Sequence, residues 1–405
     1  MKSLIMKFLL FGGIYVLLPN IGVGAKNSPA KPSKLDGYFH PNDSIQAIKR
    51  LAEEHPGYAK VHNISTLVGL DIQTALGESL YALQVTKGAG TIKDRPKILI
   101  IGQHHGREVM TPHMVIDNAS DLLARSKNTT TRNWLAHHSV WFVPVANPDG
   151  SKYVFEKDAM WRKNLSKSGK QGRLGVDINR NYDFQWGKCG LNSDKAASPI
   201  YRGPKAFSEP ESRLLDALNG VLKAQFLVSY HSPGNEILFP YRCGKLGDKE
   251  IYLSLRDKLV KSLGYGQRKA SSSGEDFEHH FARHGSLGFL VEAGYEMQPS
   301  FKTYNDIVKP SILKILPLLE EEMAKPFLEV KVIDQNTKKP LAGVDVQIEE
   351  APLFEGEKRH TDIFGKMRRR LEFSPLNLKL TTPAGRVVFV MFDYSSESRS
   401  LVLTI

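Results

Sequence analysis

Cysteine is scarce in this sequence: Cys189 and Cys243 are the only two in 405 residues. That leaves room for one disulfide and no more. Long hydrophobic runs are missing too. Past the first two dozen residues, no stretch approaches the ~20 apolar residues that a membrane span needs. Clustered charge is also lacking. The net charge is +12, but the basic residues are scattered, and the one dense run, "GKMRRR" at 365–370, is too short for a nucleic-acid site. No nucleic-acid partner is expected. The positive balance favours anionic surfaces such as cell-wall polymer. No internal repeat or long low-complexity tract is present. With 41% hydrophobic and 24% charged residues, the chain reads as an ordinary folded protein long enough for more than one domain.

The N-terminus has the layout of a secretory signal. Lys2 and Lys7 precede an apolar stretch from Phe8 to Leu18, and small residues Val23-Gly24-Ala25 close it. Cleavage after Ala25 would leave an exported chain, periplasmic or extracellular, with no membrane span. Export makes Cys189 and Cys243 candidates for a disulfide, with two buried thiols as the alternative. Residues 26–37 read as a polar, Pro-rich tail.

From residue 38 the texture is that of an α/β fold. Four short apolar runs, "KILIIG" (97–102), "VWFVPV" (140–145), "FLVSY" (226–230) and "GFLVEAG" (288–294), read as buried strands. Amphipathic stretches at 43–56, 111–126, 209–224 and 311–326 read as helices, the first with Asp43 as its N-cap. The alternation predicts a mixed central sheet with helices on both faces over 38–325. Beyond Pro326, short strands that alternate apolar and polar residues around Gly/Pro turns predict a small β-sandwich over 326–405.

Polar residues gather where these strands end. "QHHGRE" follows the first run, "NPDG" the second and "HSPGNE" the third, while Glu292 lies inside the fourth. Ligands bind at the carboxyl ends of strands in such sheets, so positions distant in sequence converge. His105 and Glu108 have the spacing of two metal ligands, and His231 at the end of "FLVSYH" is the natural third. Two imidazoles, a carboxylate and one open position suit a catalytic zinc. "MWRKN" and "GVDINRNYDFQWG" add Arg162, Asn179 and Arg180, side chains suited to an anionic group.

These motifs, "HGRE", "NPDG", "WRKN", "GVDINRN", "YRGPKAFSEPES", "SYHS" and "FLVEAG", occur in an order that resembles the zinc metallocarboxypeptidases of the carboxypeptidase A/B family across about residues 38–320. The resemblance implies one zinc per chain on His105, Glu108 and His231. It implies Glu292 as general base and acid and Arg162 at the oxyanion. It gives Asn179 and Arg180 the substrate's terminal carboxylate, and Arg107 an outer subsite. Glu275, in "SGEDF", matches the base of the family's specificity pocket, which implies a preference for basic C-terminal residues. The family's substrate-capping tyrosine has no clear counterpart, because the segment before "SGEDF" is shortened; Tyr265 is the only tyrosine nearby. The C-terminal part resembles the transthyretin-like β-modules of some members.

The expected activity is removal of C-terminal residues from peptides by a monomeric, exported enzyme. The alternatives are a zinc amidase or carboxypeptidase trimming cell-wall (murein) peptide stems, and an inactive secreted binding protein on the same fold.

Overall fold

The structure, a computed structural model, describes residues 35–167, 175–246, 249–371, 375–393 and 399–405. The expected signal segment, 1–25, and the tail up to residue 34 lie outside the described residues. No helix among the described residues is long and apolar enough to cross a membrane.

Eight strands form one mixed sheet: β1 (Ala59–Asn63), β2 (Tyr81–Val85), β3 (Lys97–Ile101), β4 (Ser139–Val143), β5 (Phe226–His231), β6 (Glu236–Phe239), β7 (Gly266–Lys269) and β8 (Leu287–Glu292). Their order across the sheet is β1-β2-β4-β3-β5-β8-β6-β7. The middle four, β4, β3, β5 and β8, run parallel. They are the four apolar runs singled out in the sequence. In β3, Ile98 and Ile100 enter one core cluster while Leu99 and Ile101 enter the other. The two-residue period of a strand therefore covers both sheet faces, and only a continuous apolar run satisfies that.

Eight helices of this unit are α1 (Pro41–Glu54), α2 (Ile64–Val68), α3 (Thr111–Arg125), α4 (Thr129–His137), α5 (Pro148–Glu156), α6 (Pro210–Leu222), α7 (Lys249–Leu263) and α8 (Asp276–His284). α1 starts earlier than expected. Pro41 occupies its first turn, where a missing N–H costs nothing. Asp43 sits inside that turn and accepts from the His40 backbone N–H at 3.3 Å. The expected helix at 311–326 is broken. One short helix ends at Ile312, and another spans Ile315–Met323. Pro317 cannot donate to the preceding turn and crowds its carbonyl, which accounts for the break at Leu313 and Lys314.

The C-terminal region forms two three-stranded sheets. β10 (Asp345–Ile348), β12 (Leu376–Thr381) and β13 (Val387–Phe392) make one. β11 (Lys366–Arg369), β9 (Leu328–Ile333) and β14 (Ser400–Thr404) make the other. Their inner residues, among them Val330, Val332, Val346, Leu378 and Leu380, share one apolar cluster.

This sandwich docks through charge. Lys366 and Arg368 both reach Asp94, at 2.8 and 2.5 Å. Arg370 reaches Glu322 at 2.5 Å. The basic run at 365–370 is thus engaged in holding the β-sheets to the larger unit. Lys258 and Lys325 also approach Glu322, each at 2.6 Å. Burial alone would raise the Glu322 carboxyl, but these three cations outweigh it and bring its pKa down to about 2. A depressed carboxylate stabilises the fold above its unfolded value of ~4.3, and that contribution is lost as pH falls toward 2. Thermal melts should therefore lose stability between pH 5 and pH 2. Glu322→Gln should melt lower at pH 5, by roughly 2 °C or more, and lose less on acidification. Parallel pH curves for the two proteins would contradict this.

Candidate metal centre and substrate pocket

β3 ends at Ile101, and the chain turns sharply through "GQHHGRE". Gly106 donates its N–H to the Arg162 carbonyl at 3.0 Å. A Cβ at Gly106 would lie 2.5 Å from the Gly150 carbonyl oxygen, so only glycine lets this loop close on the "NPDG" loop. Asn147 of that loop holds the same turn, donating from Nδ2 to the His104 carbonyl at 3.1 Å. The turn brings His105 and Glu108 to face His231, the last residue of β5.

These three side chains are almost fully buried, at 3%, 2% and 1% exposure. His105 Nδ1 lies 2.6 Å from Glu108 Oε1, His231 Nδ1 lies 2.9 Å from Glu108 Oε2, and the two Nδ1 atoms are 3.1 Å apart. Three donors converge on one point with no thiolate. That is a zinc-type set, and ligand separations in a zinc tetrahedron of ~2.0–2.1 Å bonds require a spread of only about half an ångström. Burial would raise the Glu108 carboxyl, but the two imidazoles hold it well below the usual carboxylate range.

A second carboxylate backs the first. His105 Nε2 lies 3.2 Å from Asp177 Oδ1, the partner that fixes a ligating imidazole's orientation. Arg162 donates to Asp177 Oδ2 from Nε at 3.0 Å and Nη2 at 2.9 Å, leaving Nη1 4.0 Å from Glu108. Despite burial, Asp177 and Glu108 keep the Arg162 guanidinium firmly charged.

Glu292 closes β8 and pairs in register with His231 of β5. The sheet itself thus sets the base candidate beside a metal-ligand candidate. Gly234 passes so close that a Cβ there would lie 2.7 Å from the Glu292 Cβ. Burial, and then the charge of Glu108, push the Glu292 carboxyl up to about 8.

The loop between Asp177 and Arg180 makes one 3-10 turn, begun by Asp177 accepting from the Asn179 N–H at 3.0 Å. Asn179 Oδ1 accepts from the Asp276 N–H at 2.8 Å, and its amide lies 3.3 Å from His231 Nε2. Arg180 Nη1 lies 3.0 Å from Glu275 Oε1, and Nε donates to the Leu191 carbonyl at 2.7 Å. Gly274, at φ +82°, sits against the Arg180 carbonyl, where a Cβ would come within 2.8 Å. Burial pushes Glu275 up to about 7, although Arg180 pulls the other way. Cys189 and Cys243 are joined by a disulfide with Cα atoms 6.2 Å apart. The Cys189 carbonyl in turn accepts from the Ser273 N–H at 3.1 Å, tying this loop to the segment before Glu275.

Arg107 lines an outer cleft of about 310 Å³ with Trp161, Arg162 and Lys163. Tyr265 is different. Its ring is buried in the main core with Tyr230 and Tyr304, so it cannot close over a substrate there. The reason is local: α7 ends at Leu263, Gly264 turns at φ +69°, and the next side chain points into the apolar face. Two residues later the strand begins its edge position, and Arg268 lies at the site instead, 4.0 Å from Glu292 and 2.6 Å from Glu236.

Sequence reasoning overlooked Asp177, Arg268 and His104. Asp177 stands two residues before Asn179 inside a loop already singled out, so a search for the carboxylate partner of a ligating histidine would have reached it. Arg268 lies on a short polar edge strand and carries no pattern.

The profile of the zinc carboxypeptidase family matches residues 44–306. Zinc carboxypeptidase A 1 of Drosophila melanogaster is 33% identical over 301 residues, 70% of this chain and 67% of that one. Its counterpart from Anopheles gambiae is 28% identical over 72% of this chain and 70% of its own length. The crystal structure of thrombin activatable fibrinolysis inhibitor superposes with a TM-score of 0.62, at 21% identity over 74% of this chain and 78% of that one. The chain belongs to the zinc carboxypeptidase family. It is a zinc-dependent peptidase whose substrates are peptides with a free C-terminus.

Proposed function

We propose that this protein is an exported carboxypeptidase that prefers peptides ending in a basic residue. Zinc, when held by His105, Glu108 and His231, supplies an acidified water and an electrophile for the scissile carbonyl. Glu292 takes the proton from that water and returns it to the leaving amine; a carboxyl raised by burial suits both directions. Arg162, fixed on Asp177, stabilises negative charge developing on the carbonyl oxygen. Asn179 and Arg180 hold the terminal carboxylate, and Arg107 contacts residues further along the peptide.

The observation that carries the specificity is the buried pair of Arg180 and Glu275, 3.0 Å apart. An incoming carboxylate competes with Glu275 for the guanidinium. A lysine or arginine side chain then gives Glu275 a new cation, so a zwitterionic end satisfies both groups. A neutral end leaves Glu275 buried without its partner, which is costly. Charge-assisted hydrogen bonds of ~1.5–3 kcal/mol correspond to about 10–100-fold in kcat/KM for Lys-ended over Leu-ended peptides. Glu275→Ala should erase that ratio while retaining hydrolysis of neutral ends. Equal kcat/KM for both ends in the parent enzyme would overturn the preference. Diaminopimelate, with its side-chain amine, satisfies the same chemistry, so murein stems stand as a substrate class for an exported protein.

A further inference from the structure

A second cluster of metal-ligand side chains lies behind the site. Asp216 of α6 and His279, His280 and His284 of α8 each offer a donor atom, and all four donors lie within 4.8 Å of one another. Asp216 Oδ1 is 2.7 Å from His279 Nε2 and 2.7 Å from His284 Nε2. Those contacts are as short as the ones among His105, Glu108 and His231, and a metal would spread both sets alike.

Hydrogen bonding alone does not account for the cluster. The His280 ring is fully buried, and neither of its nitrogens has a hydrogen-bond partner. A buried imidazole without a partner is unfavourable. A metal ion shared with Asp216 would take one of the two nitrogens. The support around the cluster repeats that of the first centre. His279 Nδ1 lies within ion-pair distance of Asp183 Oδ1, at 2.9 Å but without hydrogen-bond alignment, and Arg283 donates to Asp183 from Nε at 3.2 Å and Nη2 at 3.1 Å. His105, Asp177 and Arg162 make the same series of imidazole, carboxylate and guanidinium. Lys223 Nζ lies 3.1 Å from His284 Nδ1.

We infer that Asp216, His279, His280 and His284 form a second zinc site, closed by four protein ligands and structural rather than catalytic. Three imidazoles and one carboxylate, with no thiolate, suit zinc among the divalent metals. Four ligands leave no open position for a reacting water, unlike the three-ligand centre. The site would clamp α8 to α6. α8 begins at Asp276, directly after Glu275, so the clamp also steadies the proposed specificity residue. Packed rings connect the two centres: His104 stacks on His231 with centroids 5.5 Å apart, its Nε2 lies 3.0 Å from Tyr182 Oη, and the Tyr182 ring lies 5.6 Å from His280.

The test is metal stoichiometry of the full chain, loaded with zinc and dialysed, by elemental analysis. Two zinc ions per chain are expected in the parent, one in His231→Ala, one in His280→Ala and none in the double variant. One zinc in the parent and none in His231→Ala would overturn the site. Those two proteins decide the question even if His280→Ala fails to fold. His284→Gln, at the half-buried edge of the cluster, gives a further reading: loss of one zinc with peptidase turnover retained supports the site, and two zinc ions retained would remove His284 from it.

Discussion

Glu292→Gln should keep its zinc and bind substrate nearly as the parent does, while kcat falls by about 10²–10⁴-fold. The substitution keeps the shape of the side chain and removes its ability to accept a proton. Nothing in the zinc donor set is touched, since Glu292 faces His231 across the sheet and lies outside the cluster of His105, Glu108 and His231. The loss should therefore appear in kcat with little change in KM, the pattern of a group acting in the transition state. Steady-state kinetics with parallel zinc analysis check this. Near-normal turnover would mean that another group carries the proton, and Arg268 and Glu236, the neighbours of Glu292, would then need re-examination.

His231→Ala should reduce activity to near background for a different reason. One of three donors at the catalytic centre disappears, and with it the geometry that holds the other two. The loss should be of metal first and of turnover as its consequence, so added zinc in large excess should restore part of the activity. Asp177→Asn gives a graded counterpart. It leaves all three donors but loosens the orientation of His105, and partners of this kind typically cost about 10–100-fold in metal affinity. Zinc titration in competition with a chelator ranks the three proteins. Full zinc affinity at the catalytic centre in His231→Ala would remove His231 from the donor set.

The parts of the fold legible in the sequence are those where one physical demand acts alone. β3, β4, β5 and β8 are covered on both faces, so each had to be a continuous apolar run, and each was visible. β7, "GQRK", lies at the sheet edge with mostly exposed residues, so no pattern marks it. α8, "DFEHHFARH", buries four polar residues among its first five, and an apolar period could not reveal it. The candidate metal donors His105, Glu108 and His231 were legible because they sit where strands end. Their supports carry no pattern of their own: only the expectation of a carboxylate partner for a ligating histidine links Asp177 to His105, 72 residues away. Tyr265 misled because nearness in sequence to a shortened segment says nothing about which way a ring points. The turn at Gly264 decides that, and it points the ring into the core.

One measurement tests the central claim most directly: mass spectrometry of one peptide in two forms, with a free and with an amidated C-terminus, incubated with the enzyme with and without a chelator. The account predicts stepwise loss of single C-terminal residues from the free acid only, abolished by the chelator and restored by zinc, because Asn179 and Arg180 recognise the carboxylate and the metal centre performs the hydrolysis. Cleavage inside the chain, equal trimming of the amide, or full activity in the presence of the chelator would contradict it.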